Sequence, residues 1–197
     1  MIELYIFDMG GVVSLNTDVS KRIAEHLGID GERWREILEG EIIALQAGSI
    51  TAEEFWRQFS ALTGLRVEED LWASFFHPKP NAEVVRTIRE LKQEARVVAG
   101  TNTIEPHYRI HERAGDYDIF DRVYASQRIG LVKPDPAFYT HILASEGCAP
   151  ERTVFIDDFP ENVDAARRLG IHGLLYTEAG RLKREIDALR GGKNPRS

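Results

Sequence analysis

The sequence has a single cysteine, Cys148, among its 197 residues. A lone cysteine excludes a disulfide framework and any metal cluster that several thiolates would hold. Long apolar runs are also missing, since none approaches the ~18 residues that a helix needs to cross a membrane. The first residues lack the basic segment of a secretory signal peptide. We therefore expect a cytoplasmic protein that has no membrane partner.

Basic residues are outnumbered by acidic ones. The chain has 25 Lys and Arg against 32 Asp and Glu, which gives a formal net charge of −7. A net acidic chain without long basic runs repels the phosphate backbone, so we expect no nucleic-acid partner. Apolar residues make up 43% of the chain, a share that is typical of a domain with a buried core. The length predicts one domain with room for an insertion.

Short apolar runs alternate with helical patterns over much of the chain. The runs, each of which ends in polar or glycine residues, lie at 4–7, 96–100, 121–124, 153–156 and 173–176. Segments with helical periodicity lie between the later runs, at 82–93, 136–146 and 161–169. Alternation of strands and helices predicts an α/β fold, with a parallel sheet that helices cover on both faces.

Residues 14–79 break this alternation, because they contain no convincing strand. Helical stretches lie there at 19–27, 31–46, 52–62 and 68–76. Thr51 and Glu54 have the spacing of a capping box, which predicts the start of the third of these helices. We predict a small helical cap at 15–79, a core formed by 1–14 and 80–190, and a flexible tail at 191–197.

Polar residues follow four of the predicted strands. Asp8 follows the first strand, Thr101 the second, Lys133 lies past the third, and Asp157 and Asp158 follow the fourth. The carboxyl ends of parallel strands meet at one edge of the sheet, so these side chains should converge there. Taken singly, each could be a turn former, a helix cap or a surface residue. The adjacent acids repel each other, which favours a cation or a lysine between them.

These residues lie in four ordered motifs that point to a known family. The motifs are FDMGGVV at 7–13, VVAGTNT at 97–103, GLVKPDP at 130–136 and VFIDDFPENV at 154–163. With GSITAEEFW at 48–56, they make nearly the whole chain resemble the haloacid dehalogenase (HAD) superfamily hydrolases of subfamily I. The members of this subfamily have a helical cap inserted after the first strand. The resemblance implies a Rossmannoid sheet with Asp8 on its central strand, and hydrolysis of phosphomonoesters, the activity of most members.

The resemblance also implies roles for the residues that match the motifs. Asp8 would be the nucleophile and would form an aspartyl-phosphate that water then cleaves. A Mg²⁺ ion would bind at Asp8, at the backbone carbonyl of Gly10 and at Asp158, with Asp157 in the same metal site.

Substrate-binding residues follow from the same motifs. The phosphate would be bound by residues of the first three motifs, which are Gly11, Thr101, Asn102 and Lys133. Thr101 would donate its hydroxyl to a phosphoryl oxygen, and both Thr101 and Lys133 would be catalytic. Lys133 would also pair with Asp157, and Asn162 would orient the acidic pair.

Gly10 is the departure from the family pattern that matters most. In typical phosphatases of the family a second Asp occupies this position and serves as general acid and base. Gly10 keeps the backbone carbonyl but loses the proton donor. A sugar phosphate whose leaving hydroxyl is unusually acidic would tolerate this loss, so a small phosphorylated metabolite of this kind is the expected substrate. We expect the protein to be a monomer or a homodimer.

Two other functions remain open from the sequence. A 2-haloacid dehalogenase needs no proton donor, because halide leaves as an anion, but the pair Asp157 and Asp158 is not typical of such enzymes. A catalytically idle protein that binds a phosphorylated ligand would not need the nucleophile Asp8. His107 and His111, four residues apart on a predicted helix, are expected to lie on a solvated face.

Overall fold

The structure is a computed structural model that describes residues 1–191. Of the predicted tail, Gly191 is described and residues 192–197 lie outside the described residues. The strands are β1 (Leu4–Phe7), β2 (Ser14–Leu15), β3 (Lys79–Pro80), β4 (Arg96–Thr101), β5 (Arg122–Ala125), β6 (Thr153–Asp157) and β7 (His172–Leu175). The α-helices are α1 (Ser20–Leu27), α2 (Gly31–Gln46), α3 (Ala52–Thr63), α4 (Leu71–Ser74), α5 (Ala82–Leu91), α6 (Glu105–Ala114), α7 (Ser126–Ile129), α8 (Pro136–Glu146), α9 (Pro160–Arg168) and α10 (Ala179–Arg190).

Five strands form one parallel sheet in the order β5-β4-β1-β6-β7. Strand β1 is central, and its last residue, Phe7, pairs with Ala99 of β4 and with Ile156 of β6. All five predicted strands are present, so the predicted α/β fold is confirmed. Parallel order brings the ends of β1, β4 and β6 to the same edge of the sheet, and this edge carries the site.

Both faces of the sheet are buried, which explains why the strands are apolar throughout. Tyr5 and Phe7 pack on one face in a core cluster that includes residues of α5 and α10. Leu4 and Ile6 pack on the opposite face with residues of α8 and α9. Successive side chains of a strand point to opposite faces of the sheet, and here helices cover both faces. Strand β1 therefore has no face in contact with solvent, and packing on both sides holds it in place.

Helices α1 to α4 lie within residues 15–79, which we call the helical insert. Its core is an aromatic cluster that includes Trp34, Phe55, Phe59 and Trp72. The predicted capping box is confirmed, since Thr51 and Glu54 each accept a hydrogen bond from the other's backbone N–H. The division into cap and core domains at these boundaries stays a prediction.

Two details of the insert differ from the prediction. The helix expected at 68–76 shrinks to α4, because the Asp70 side chain accepts a hydrogen bond from Trp72 N and caps a later start. The insert also enters and leaves through a two-stranded antiparallel ribbon, β2 with β3, where no strand was expected. Strands of two residues are too short to show an alternating pattern in the sequence.

No helix within residues 1–191 is both long and apolar enough to cross a membrane. The helix α2, with 16 residues, carries charged side chains along its length. The cytoplasmic location and the absence of a membrane partner stay predictions.

Candidate active site

A buried lysine holds the carboxyl edge of the sheet together. Lys133 Nζ donates hydrogen bonds to Asp8 Oδ1 at 2.7 Å, to Asp157 Oδ2 at 2.7 Å and to the carbonyl oxygen of Gly100 at 2.9 Å. Lys133, Asp8 and Asp157 are all buried. The structure thus brings together three of the residues that the sequence analysis singled out.

Secondary structure explains how these side chains meet. Asp8 directly follows β1, and Asp157 is the last residue of the neighbouring β6. Lys133 lies in the loop between α7 and α8, and Asn102 ties this loop to the end of β4. Asn102 Oδ1 accepts a hydrogen bond from Lys133 N, and Asn102 Nδ2 donates one to Lys133 O, each at 2.9 Å. The loop therefore cannot move without breaking both bonds.

The site carries more negative than positive charge. Burial raises the pKa of Asp8 to about 7, because the hydrogen bond and the charge of Lys133 only partly offset the desolvation and the repulsion from Asp157 and Asp158. Burial also raises the pKa of Asp158, and the charge of Asp157 adds to this effect. For Lys133, burial favours the neutral form, but Asp8 and Asp157 outweigh it and raise the pKa. A further cation would relieve this imbalance.

The two adjacent acids have different surroundings. Asp157 Oδ1 accepts from Phe159 N at 2.8 Å, and both of its oxygens accept from Asn162 Nδ2 at 3.1 Å. Together with the hydrogen bond from Lys133 Nζ, these contacts occupy all the acceptor positions of the Asp157 carboxylate. Asp158 Oδ1, in contrast, is buried and has no hydrogen-bond partner within residues 1–191. A buried carboxylate oxygen without a partner is costly, which is a reason to expect a ligand there.

These observations fit a divalent cation. Asp8, Asp157 and Asp158 each place a carboxylate oxygen within 4.8 Å of the others. Gly11 makes this approach possible, because a Cβ on Gly11 would lie 2.1 Å from Asp158 Oδ2 and because its φ of +73° favours glycine. Oxygen ligands of this kind are those that Mg²⁺ prefers.

A cavity of about 820 Å³ opens above this edge of the sheet. Of the residues predicted for the site, it is lined by Asp8, Gly10, Gly11, Thr101, Asn102, Lys133 and Asp158. Asp157 lies beneath this wall and is fully buried. The opposite wall comes from the helical insert and includes the apolar side chains of Leu38, Ile42, Trp72 and Phe76.

Two histidines also belong to this cavity, and the expectation of a solvated face for them is wrong. His111 is 3% exposed, and its Nδ1 lies 2.7 Å from Asp116 Oδ2. The His107 ring stacks on Phe76 at 3.8 Å between ring centroids, and its Nε2 lies 3.1 Å from the carbonyl oxygen of Trp72. Burial lowers the pKa of His107 to about 4, so the ring is neutral and Nε2 donates.

The physical reason is that α6 packs its histidine-bearing face against the helical insert. The spacing of four residues placed both histidines on one helix face. It carries no signal of what packs against that face, because Phe76 and Trp72 lie about 30 residues earlier in the chain.

Comparison with known proteins agrees with this geometry. The family model described as haloacid dehalogenase-like hydrolase matches residues 2–170. A sesquiterpene phosphatase of Aspergillus oryzae is 33% identical over 184 residues, which cover 88% of this chain and 89% of that protein. A D-ribitol-5-phosphate phosphatase of Bacteroides thetaiotaomicron is 26% identical over 186 residues, with coverage of 86% and 89%.

A solved structure extends the comparison to the fold. It is a HAD family enzyme from Bacteroides thetaiotaomicron in complex with magnesium and inorganic phosphate. The TM-score is 0.74 at 25% identity, and the match covers 91% of this chain and 96% of that one. The chain belongs to the haloacid dehalogenase-like hydrolase family. The predicted family, the α/β fold and the class of enzyme, a phosphatase-type hydrolase, are therefore confirmed.

Proposed function

We propose that this protein hydrolyses small phosphomonoesters with Mg²⁺ and through an aspartyl-phosphate on Asp8. The observation that carries the proposal is the arrangement around Asp8, a buried carboxylate at the wall of a cavity. It is hydrogen-bonded to Lys133, and a carboxylate oxygen of Asp8 lies within 4.8 Å of one of Asp158, whose buried Oδ1 has no hydrogen-bond partner within residues 1–191. A phosphate group in the cavity would therefore meet a nucleophile, a cation and a metal-binding carboxylate together.

Asp8 would act first. Lys133 holds Asp8 Oδ1, so the carboxylate keeps a fixed orientation. Asp8 attacks phosphorus, the bond from phosphorus to the ester oxygen breaks, and the leaving alkoxide takes a proton from water and departs as the alcohol. Water then attacks the aspartyl-phosphate, which releases inorganic phosphate and restores Asp8. Lys133 supplies positive charge beside the nucleophile in both steps.

Asp8, Asp158 and the carbonyl oxygen of Gly10 would hold Mg²⁺. When bound, Mg²⁺ neutralises charge on the phosphate and on the three acids. We propose that Asp157 supports the same metal site from behind, because its oxygens already bind Lys133 and Asn162. The magnesium and phosphate complex of the Bacteroides enzyme supports magnesium as the metal.

Phosphate would be bound by groups on the cavity wall. Thr101, the buried last residue of β4, would donate its hydroxyl to a phosphoryl oxygen, and Lys133 would offset its charge. Gly11 and Asn102 would shape this wall. The Gly11 N–H already donates to Ser14 O at 2.8 Å, and the Asn102 side chain holds the backbone of Lys133.

The organic part of the substrate would lie against the helical insert, which we propose to act as a cap. A sugar or polyol phosphate remains the first candidate, and the name of the D-ribitol-5-phosphate phosphatase supports it. A phosphate ester with an apolar body is the second candidate. The side chains of Leu38, Ile42 and Phe76 on the cavity wall favour it, as does the name of the sesquiterpene phosphatase.

Phosphate release from a panel of polyol phosphates and isoprenoid phosphates tests the proposal, with Mg²⁺ or with a chelator. We expect release that requires Mg²⁺ and is lost in Asp8→Asn, while Asp187→Asn, an exposed acid on α10, keeps the wild-type rate. The preferred ester then identifies the substrate class.

The same assay separates the other two functions. Release of chloride from a 2-chloro acid, without release of phosphate from any ester, would identify a dehalogenase and overturn the proposal. Binding of phosphate by calorimetry without turnover of any ester would identify an idle phosphate-binding protein instead.

A further inference from the structure

Thr17 lies beside Gly10, where a general acid would be expected. A Cβ on Gly10 would lie 3.3 Å from Thr17 Oγ1 and 4.0 Å from Asp8 Oδ2. Thr17 is half-buried and lines the same cavity as Asp8. A hydroxyl group therefore reaches the space into which a longer side chain at position 10 would extend, next to the nucleophile.

The backbone on both sides of Thr17 is anchored. Asn16 adopts a left-handed conformation, with φ of +61°, and its Nδ2 donates to the carbonyl oxygen of His77 at 2.8 Å. This bond continues the β2–β3 ribbon and joins the two connections of the helical insert. Asp18 Oδ1 accepts a hydrogen bond from Ser20 N at 2.9 Å, so the start of α1 is bonded by Asp18 and not by Thr17. Helix capping does not explain Thr17.

Three other polar side chains of the cavity wall, those of Asp18, His107 and His111, are less suited to the role. Asp18 is exposed and bonded to α1. His107 uses Nε2 for the carbonyl oxygen of Trp72, and His111 uses Nδ1 for Asp116. Tyr117 has a buried hydroxyl without a partner within residues 1–191, and it therefore serves as the rival in the test below.

We infer that Thr17 is a positioning residue that holds a water molecule for proton transfer, in place of the acid that Gly10 lacks. The inference rests on the proposed phosphatase function. When Asp8 attacks phosphorus, the leaving alkoxide takes a proton from this water and becomes the alcohol, which leaves hydroxide. The hydroxide then attacks the aspartyl-phosphate and gives hydrogen phosphate and free Asp8. Substrate and one water are thus converted to alcohol and phosphate, with charge conserved.

This role makes a prediction that depends on the leaving group. An alkyl alcohol needs a proton in order to leave, whereas para-nitrophenolate leaves readily as an anion. The value of kcat/KM covers the steps up to departure of the alcohol. In Thr17→Val, which keeps the shape but removes the hydroxyl, kcat/KM should fall about tenfold to a hundredfold for an alkyl phosphate. It should fall less than about threefold for para-nitrophenyl phosphate.

The controls separate positioning from structure. Thr17→Ser keeps the hydroxyl and should restore most of the rate with the alkyl ester. Thr140→Val, an exposed threonine on α8, should leave both esters at the wild-type rate. Equal losses with both esters in Thr17→Val would mean a structural role and would overturn the inference. A loss specific to the alkyl ester in Tyr117→Phe, but not in Thr17→Val, would overturn it in favour of Tyr117.

Failure of the proposed function is distinguishable from failure of this inference. If the wild-type protein hydrolyses neither ester, both are overturned. If it hydrolyses both esters with Mg²⁺ and the Thr17→Val ratio is the same for each, the phosphatase function stands and the role of Thr17 is overturned.

Discussion

The carboxyl edge of the sheet and the helical insert bury different chemistry. At the edge, one ammonium group is shared among carboxylates, and Lys133 Nζ has three hydrogen-bond acceptors. In the insert, the rings of Phe55, Trp56, Phe59 and Trp72 pack with centroids between 4.9 and 5.6 Å apart for four of their pairs. The edge is held by a few directional bonds, and the insert is held by apolar contact area.

This difference determines how each region responds to substitution. Removal of one partner at the edge leaves another charge buried and unpaired, and such a loss cannot be repaired by small movements. An aromatic cluster loses contact area in proportion to what is removed and can partly repack. The proposed catalytic side chains therefore lie at the carboxyl edge, where buried charges cost stability. The side chains of the insert are freer to vary and so to suit a substrate.

The strongest test of this contrast is Lys133→Met. The substitution leaves Asp8 and Asp157 buried without their cation, so we expect the free energy of unfolding to fall by about 3–5 kcal/mol. Urea unfolding in metal-free buffer measures the loss. Phosphatase activity should disappear as well, because the nucleophile loses its partner.

Lys183→Met is the matched control for this test. Lys183 pairs with Glu90 at 3.0 Å on the surface, where both side chains are more than half exposed. Water and salt screen such an exposed pair, so it contributes little to stability. If both substitutions lower stability by the same amount, the edge is not held by its buried charges and the comparison fails.

The second test uses pH and concerns the boundary between the edge and the insert. The pKa of His107 is lowered from the usual 6.5 to about 4 by burial. Below pH 6.5 the unfolded chain takes up a proton on His107 that the folded protein refuses, so the contribution of His107 to stability should fall as the pH drops from 6.5 towards 4. The raised pKa of Asp8 acts in the opposite direction in this window, so the contribution of His107 is read from the difference between the wild type and a variant without this histidine. Over this whole window the contribution of His107 should fall by about 3 kcal/mol. Urea unfolding at several pH values measures it.

In His107→Gln this contribution is removed, because the amide of glutamine does not titrate and can still donate to Trp72 O, so the wild type should lose stability relative to this variant as the pH falls. His26→Gln is the control, since His26 is exposed on α1. If the pH profile of His107→Gln matches that of the wild type while that of His26→Gln differs from it, the sensitivity to acid has another source.

The edge was more predictable from the sequence than the insert. Asp8, Thr101 and Asp157 each come at the end of a buried apolar strand, and parallel pairing is enough to bring such strand ends together. Lys133 was placed by its motif, although its geometry depends on the two hydrogen bonds to Asn102. Local sequence patterns are therefore enough to predict a contact when the pairing of neighbouring strands brings the residues together.

The rest could not be predicted, because it depends on contacts between distant segments. The stacking of His107 on Phe76 and the bond from Asn16 to His77 join residues 31 and 61 positions apart, and no local pattern signals either. The position of Thr17 beside Gly10 is set by that same bond and by the short ribbon of β2 and β3. These features depend on tertiary contacts, and the periodicity of the sequence does not encode such contacts.

Thr51→Ala is expected to have the smallest effect, and it tests whether stability of the insert can be separated from chemistry at the edge. The substitution removes the hydroxyl that accepts from Glu54 N at 3.1 Å at the start of α3. Loss of such a cap should lower the free energy of unfolding by about 1 kcal/mol. Thr51→Ser keeps the capping oxygen, so its free energy of unfolding should stay close to that of the wild type. If the two regions are independent in the way proposed, kcat for the preferred ester stays at the wild-type value in both variants. A fall in kcat that tracks the loss of stability would mean that the insert also holds the catalytic edge in place, and the contrast between the two regions would then have to be abandoned.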